Sequence, residues 1–178
     1  MATVVPFSEA NVAFRVYNEN QDLLGIATLE LPDIQYMTES LNGSGLGGEI
    51  ETPVLGLTQS ITVKATFMSQ TTLALTMMDW TRSQLYECKS ALQIGDPSTG
   101  GRDSIAYHVN FIGRLKGHTL GSLELGKKHE NALEFEVTRL EVFYDSTEKL
   151  VIDKMQFIHR VNGKDLWAGV RSQIGLSV

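Results

Sequence analysis

Apolar residues recur at every second position over most of this chain, a period that describes a half-buried strand and not an amphipathic helix. Val12, Phe14 and Val16 share one side of such a run. Ile61, Val63, Ala65 and Phe67 share a side of another, opposed by Thr62, Lys64 and Thr66. Tyr86, Cys88, Ser90, Leu92 and Ile94 make a third row, and Ile105, Tyr107, Val109 and Phe111 a fourth, set against Ser104, Ala106, His108 and Asn110. Leu133, Phe135 and Val137 follow, with Glu134 and Glu136 on the other side. Then the parity changes, and Leu140, Val142 and Tyr144 carry the apolar groups. One extra residue moves every later side chain across a sheet, so this switch predicts a β-bulge near Thr138 and Arg139. A last strand is expected over 149–158.

Turn chemistry separates these runs. Asn18-Glu19-Asn20-Gln21-Asp22, 95–101, Asp145-Ser146-Thr147-Glu148 and Asn162-Gly163 all read as turns, the last being a strong hairpin dipeptide. Helix signals are few. Ser69 is placed to cap a helix running to about Thr81, with Leu73, Met77 and Trp80 on its packed face. Near the end Asp165 is placed as an N-cap, Leu166, Val170 and Ile174 recur every four residues, and Gly175 stands where a helix would stop. The expected fold class is mainly β: an antiparallel β-sandwich or barrel with one packed α-helix, long arms and a short C-terminal helix.

The 178 residues, 42% of them hydrophobic and 20% charged, suit one folded domain covering 1–178. Two segments do not fit a compact domain. Residues 38–58 hold Gly43, Gly45, Gly47, Gly48 and Gly56, and 113–131 hold Gly113, Gly117, Gly121 and Gly126. Structureless connections beyond about 12–15 residues are uncommon in compact domains and are usually functional or disordered. Both segments carry apolar residues that need a cover: Leu41, Leu46, Ile50, Val54, Leu55 and Leu57 in the first, Leu115, Leu120, Leu123 and Leu125 in the second. A neighbouring copy would supply that cover. Between Val16 and Val63 there is no Lys or Arg, and the span carries seven of the acidic residues that set the net charge of −6. One-signed blocks are solvated faces or halves of a complementary contact.

Several kinds of chemistry are excluded. Net acidity argues against phosphate neutralisation as a mode of nucleic-acid binding. Gly43-Ser44-Gly45-Leu46-Gly47-Gly48 spells G-x-G-x-x-G, but Glu49, Glu51 and Pro53 follow where a dinucleotide site needs a helix, and carboxylates repel a pyrophosphate. Of His108, His118, His129 and His159 no two are three to five apart, and one cysteine cannot complete a zinc set. No G-x-S-x-G or H-E-x-x-H motif occurs. Cys88 stands alone, so no intrachain disulfide is possible, and its place in an alternating run makes it a core residue. Neither a catalytic residue, nor a metal, nor a cofactor is expected. No apolar run reaches the roughly 18 residues of a membrane span, and the N-terminus lacks the pattern of a signal peptide, pointing to synthesis in the cytosol.

The order of features along the chain is similar to the tail tube family of contractile phages and R-type bacteriocins. A glycine-rich acidic segment from Glu39-Ser40-Leu41-Asn42-Gly43 to Leu55-Gly56-Leu57 is followed by a strand and a helical segment with Trp80. A basic, glycine-bearing loop then runs from Gly113-Arg114-Leu115-Lys116 to Gly126-Lys127-Lys128. The most specific part is Val161-Asn162-Gly163-x-Asp165 with Ile174-Gly175-Leu176. The pair Asp33-Ile34 departs from the family's usual opening, though Leu31-Pro32 keeps its start.

The resemblance implies a structural virion protein, not an enzyme: a barrel-like protomer forming six-membered rings that stack into the inner tube of a contractile tail. It implies as partners further copies of the chain, a sheath, baseplate or initiator and terminator proteins, a tape-measure protein, and DNA that passes the lumen without being bound. The expected contact between copies is the segment carrying Leu41, Gly43, Gly45, Leu46, Gly48, Ile50, Val54, Leu55 and Leu57. A second is Leu120, Leu123 and Leu125, and a third is Trp167, Val170 and Ile174, although Trp167 suits a core equally well. Glu134 and Glu136 are candidates for a row facing the lumen. Two other readings remain open at this point: a type VI secretion-like inner tube, and a monomeric ligand-binding β-barrel.

Overall fold

The computed structural model describes residues 7–43, 47–97 and 99–176. Its elements in chain order are β1 (Phe7–Asn18), β2 (Ile26–Glu30), β3 (Tyr36–Leu41), β4 (Ile50–Thr58), β5 (Thr62–Phe67), α1 (Thr72–Thr76), β6 (Gln84–Gly95), β7 (Arg102–Thr119), β8 (Asn131–Tyr144), β9 (Thr147–Asp153), β10 (Ile158–Val161), β11 (Lys164–Asp165) and α2 (Ala168–Gln173). All pairings are antiparallel, and β1, β6, β7, β8, β9, β10 and β11 lie side by side in that order. The alternation therefore encoded strands, and the mainly β architecture with two short helices follows.

The parity switch in β8 organises the sheet. Ile112 pairs with Arg139 and Gly113 with Val137, leaving Thr138 as the extra residue. Before the bulge, residues 131–136 of β8 pair with β5, and after it 139–144 pair with β9. Thr138 thus sits where one strand changes partners. Its carbonyl accepts from the Lys154 amide, and its hydroxyl donates to the Ile112 carbonyl. The bulge keeps Leu133, Phe135 and Val137 on the buried side before it and puts Leu140 there after it. β5 in turn pairs with β2. Leu24, just before β2, donates its amide to the Val16 carbonyl of β1 at 2.8 Å, so the two ends of the row β2–β5–β8–β7–β6–β1 meet at that corner.

The core lies inside this curved row. Tyr86, Phe111 and Phe135 form an aromatic triangle with centroids 5.0 to 6.2 Å apart, ringed by Val16, Leu24, Val63, Phe67 and Leu133. The Tyr86 hydroxyl donates to Gln84 Oε1, which satisfies a polar atom in an apolar setting, and burial pushes that phenol far above its usual range. Cys88 is buried in the same cluster, and burial pushes its thiol up to about 11.

Several boundaries differ from the sequence expectation. The segment 113–131 is not one loop, because β7 continues to Thr119 and only 120–130 lie between strands. Its glycines misled: Gly113 faces the Phe135 side chain and the Glu136 carbonyl so closely that a methyl group there would crowd both, and this close packing is why a strand residue is glycine. The helix expected from Ser69 to Thr81 spans only Thr72–Thr76, with Thr71 as the cap accepting from the Ala74 amide. Leu73 and Met77 pack on the core as their spacing predicts, but Trp80 lies beyond the helix and is 69% exposed. The strand expected over 149–158 is broken by a turn in which Asp153 Oδ1 accepts from the amides of Met155 and Gln156. Asp165 is not the N-cap of α2. It ends β11, and the cap position belongs to Trp167.

Candidate functional site

The strands β3 and β4 form a two-stranded ribbon of their own, separate from the main sheet. Every described residue of β3 is exposed, and so is β4 except where Gly56 and Thr58 are half-covered. The segment expected to be an extended arm is a β-hairpin projecting from the barrel. Leu41 lies opposite Ile50 and Glu39 opposite Thr52, so these four share one face. Ser40, Glu51, Thr38 and Pro53 share the other. Gly43 and Gly48 lie in the connection at the tip, where nothing would obstruct a side chain. Gly45 and Leu46 fall outside the described residues.

The ribbon is free along its length but fixed at its base. Between Thr38 opposite Pro53 and Tyr36 opposite Thr58, β4 carries several more residues than β3. This excursion, from Val54 to Leu57, meets the C-terminal segment. Trp167 Nε1 donates to the Leu55 carbonyl at 2.9 Å. Gly56 has φ +68, and a Cβ built there would lie 1.9 Å from the indole nitrogen. Only glycine fits on both counts. His159, which is buried, places Nδ1 3.4 Å from the Gly56 carbonyl oxygen and Nε2 3.3 Å from the Tyr36 hydroxyl. A carbonyl can only accept, so Nδ1 carries the hydrogen, and in the neutral ring Nε2 accepts from Tyr36. The Tyr36 and His159 rings also stack at 5.7 Å.

A second tier holds Trp167. Its ring packs on Phe157 with centroids 5.3 Å apart, and its amide donates to Asp165 Oδ1. Asp165 pairs through its other oxygen with Arg171, which also donates to the Phe157 carbonyl. The hydrogen bond from Arg171, reinforced by the Trp167 amide, holds the Asp165 carboxyl below its ordinary range. The type I′-like turn at Asn162 (φ 50) and Gly163 (φ 77) reverses the chain between β10 and β11, which brings His159 and Trp167 to the same spot.

The residues expected at contacts between copies separate accordingly. Leu41, Ile50, Val54, Leu55 and Leu57 all lie exposed on the ribbon. Leu120, Leu123 and Leu125 are exposed in the 120–130 connection, Leu123 being 88% open. Trp167, in contrast, is only 6% exposed and is covered within its own chain, while Val170 is half-buried and Ile174 open. Glu134 and Glu136 point outward from β8 as their parity predicts, but neither is a bare charge. Lys116 lies 3.7 Å from both, and Lys154 3.6 Å from Glu136. Sequence reasoning missed Tyr36, His159 and Arg171 as anchors of the arm. The one local signal was the Asn-Gly turn that folds His159 and Trp167 together. Among the described residues no three His, Cys, Asp or Glu side chains gather to hold a metal ion, and no helix is long and apolar enough to cross a membrane.

This architecture has counterparts among solved structures. The sheath/tube terminator of an extracellular contractile injection system, PVC, in its extended state, matches with a TM-score of 0.55 at 14% identity, over 77% of this chain and 97% of that one. A chain of the PVC sheath-tube complex matches at 0.51 and 14%, over 74% and 88%. The tube-terminating cap of the anti-feeding prophage matches at 0.57 and 11%, over 81% and 96%. At such identities the likeness is one of fold. No curated protein matches the sequence. The sequence profile of phage tail tube protein FII, however, matches residues 12–175, nearly the whole chain. With its exposed ribbon, anchored base and tube-protein fold, the chain belongs to the phage tail tube protein FII family and is a structural component of the tail tube.

Proposed function

We propose that six copies form a ring and that rings stack head to tail into the hollow inner tube of a contractile tail, with the β3–β4 ribbon joining one copy to the next. The observation that carries this reading is the ribbon itself. It exposes Leu41, Ile50, Val54, Leu55 and Leu57 to water while its base is held by Trp167 and His159. A two-stranded ribbon with no buried face is marginal in water on its own, and a rigid root with an uncovered apolar tip suits an element that is completed by a neighbour. Head-to-tail contacts are heterologous and propagate without end unless capped. The sheath-tube, terminator and cap proteins of similar fold support a sheath and a terminator as partners, and a baseplate or initiator completes the proposed set.

In this reading the tube is the conduit for the genome and the tape-measure protein, or the puncturing needle of a headless particle. The protein is made in the host cytoplasm and ends in the virion. Each of six copies brings a formal charge of −6, so a ring resists phosphate binding and DNA slides without specific contact. Glu134 and Glu136 serve as part of the lumen row, their charge tempered by Lys116 and Lys154.

Electron microscopy of the purified protein tests the assembly, with annular or tubular particles expected. Deleting 43–48 should leave a folded, soluble monomer that forms no tubes, and tubes of normal length from that variant would refute the role of the ribbon. Glu134→Lys with Glu136→Lys should slow DNA passage while assembly survives, and unchanged ejection kinetics would remove these residues from the lumen.

A further inference from the structure

We propose that the tip of the ribbon of one copy seats in a trough on the outer face of β1, β6 and β7 of a second copy. The inference rests on the tube reading above and names the surface that receives the arm.

Ala13, Ala91 and Ala106 lie directly opposite one another across these three strands. Two residues further along, Arg15, Lys89 and His108 form the next row on the same side. The core-facing side of these strands carries Val16, Cys88 and Val109, so both rows face outward. The alanine row is the floor of a groove of about 510 Å³ with Tyr17 and Lys89 on its rim. Strands about 4.8 Å apart make a three-strand floor about 10 Å across, wide enough for a two-stranded ribbon. A floor of methyl groups lets another backbone approach closely.

The tip of the ribbon carries the complementary order. Leu41 and Ile50 form one row, and Glu39 and Thr52 form the next row on the same face. Each surface therefore has an apolar row followed, one pleat repeat of about 6.8 Å away, by a charged row of opposite sign. Lys89 already bridges Glu87 at 2.9 Å and lies 5.2 Å from the Tyr17 ring. Arg15 is exposed and has no carboxylate partner among the described residues. The ribbon and its flanks from Val16 to Val63 contain no Lys or Arg that could satisfy Glu39 internally. Seating Leu41 and Ile50 on the alanines brings Glu39 toward Arg15, and opposite charges at such a contact fix register and partner.

Reciprocal charge exchange tests this. Arg15→Glu should raise the protein concentration needed for tube formation about tenfold, Glu39→Arg should do the same, and the two together should restore assembly. Thermal unfolding of the monomer should be unchanged in all three. Tubes from Arg15→Glu at the normal concentration would overturn the proposal. Protein carrying Leu41→Cys, mixed with protein carrying Ala91→Cys, should give linked dimers in assembled tubes with a short bis-maleimide. Cys88 does not compete because it is buried. Assembled tubes without that link, or a link formed only when both cysteines share one chain, would also overturn it. If the 43–48 deletion blocks tubes while both of these tests fail, the arm reading stands and only the trough falls. If the deletion itself forms tubes, the arm reading falls first.

Discussion

Strands β3 and β5 are both six residues long, yet they lead opposite lives. Residues of β5 alternate between buried and open, with Val63, Ala65 and Phe67 on the core side and β2 and β8 bonded to either edge. In β3 all six residues are open, and its strand partner among the described residues is β4 alone. What separates them is which face finds a cover. In β5 one face joins the apolar cluster around Phe111 and Phe135. In β3 the apolar Leu41 faces the same way as Glu39, with no second layer above. One region is held by its own burial. The other is held, among the described residues, at its root through the side chains of Tyr36, His159 and Trp167, and leaves its apolar residues open.

The largest effect should come from the core side. Phe135→Ala removes one corner of the aromatic triangle and should cost about 3–5 kcal/mol in urea unfolding. A loss under 1 kcal/mol would mean that the curved row does not close over these rings. Next is the root of the arm. Gly56→Ala forces a left-handed backbone onto alanine and drives a methyl group into Trp167. It should cost about 2 kcal/mol or more and release the ribbon to proteases, seen as early cleavage within 36–58. Trp167→Phe loses the bond to Leu55 and should cost about 1–2 kcal/mol, again with faster cleavage in the arm; unchanged protection would break the idea of a clamp.

Acidification gives a smaller, local test. The Asp165 carboxyl is held below its ordinary value by Arg171. Its contribution is therefore present above the unfolded-state value of about 4 and is lost as pH falls through the lower folded value. Trp167 fluorescence should change in that acid window before the barrel unfolds, and Asp165→Asn should abolish the early change. The smallest effect belongs to the free surface: Leu41→Ala should alter monomer stability by no more than about 0.5 kcal/mol while weakening assembly. A large loss of monomer stability would show that the ribbon supports its own barrel, and the contrast drawn above would collapse.

Much of this contrast was legible in the sequence. The parity switch placed the bulge of β8 near Thr138 and Arg139, because a strand's period of two leaves an inserted residue nowhere to hide, and the pairing puts it at Thr138. The glycine-bearing acidic stretch with stranded leucines announced an uncovered segment. Other signals failed for identifiable reasons. Gly113 read as a loop residue because a sequence does not show that Glu136 and Phe135 crowd the far side. Trp80 read as core because helical spacing was carried past the point where α1 stops. Trp167 read as an interface residue or a core residue with equal justice, since only the neighbouring backbone decides which.

By itself, then, the sequence determined the strand periods, the turns, the bulge and the one-signed apolar arm, all of which are local patterns a few residues long. The tertiary structure alone decided that β8 serves two partners, β5 and β9, along one edge while β7 takes the other. It alone set His159 and Trp167, more than a hundred residues from Gly56, onto its carbonyl and its open Cα, and aligned Ala13, Ala91 and Ala106 into one floor. These depend on contacts between residues far apart in the chain, and no local period carries information about them.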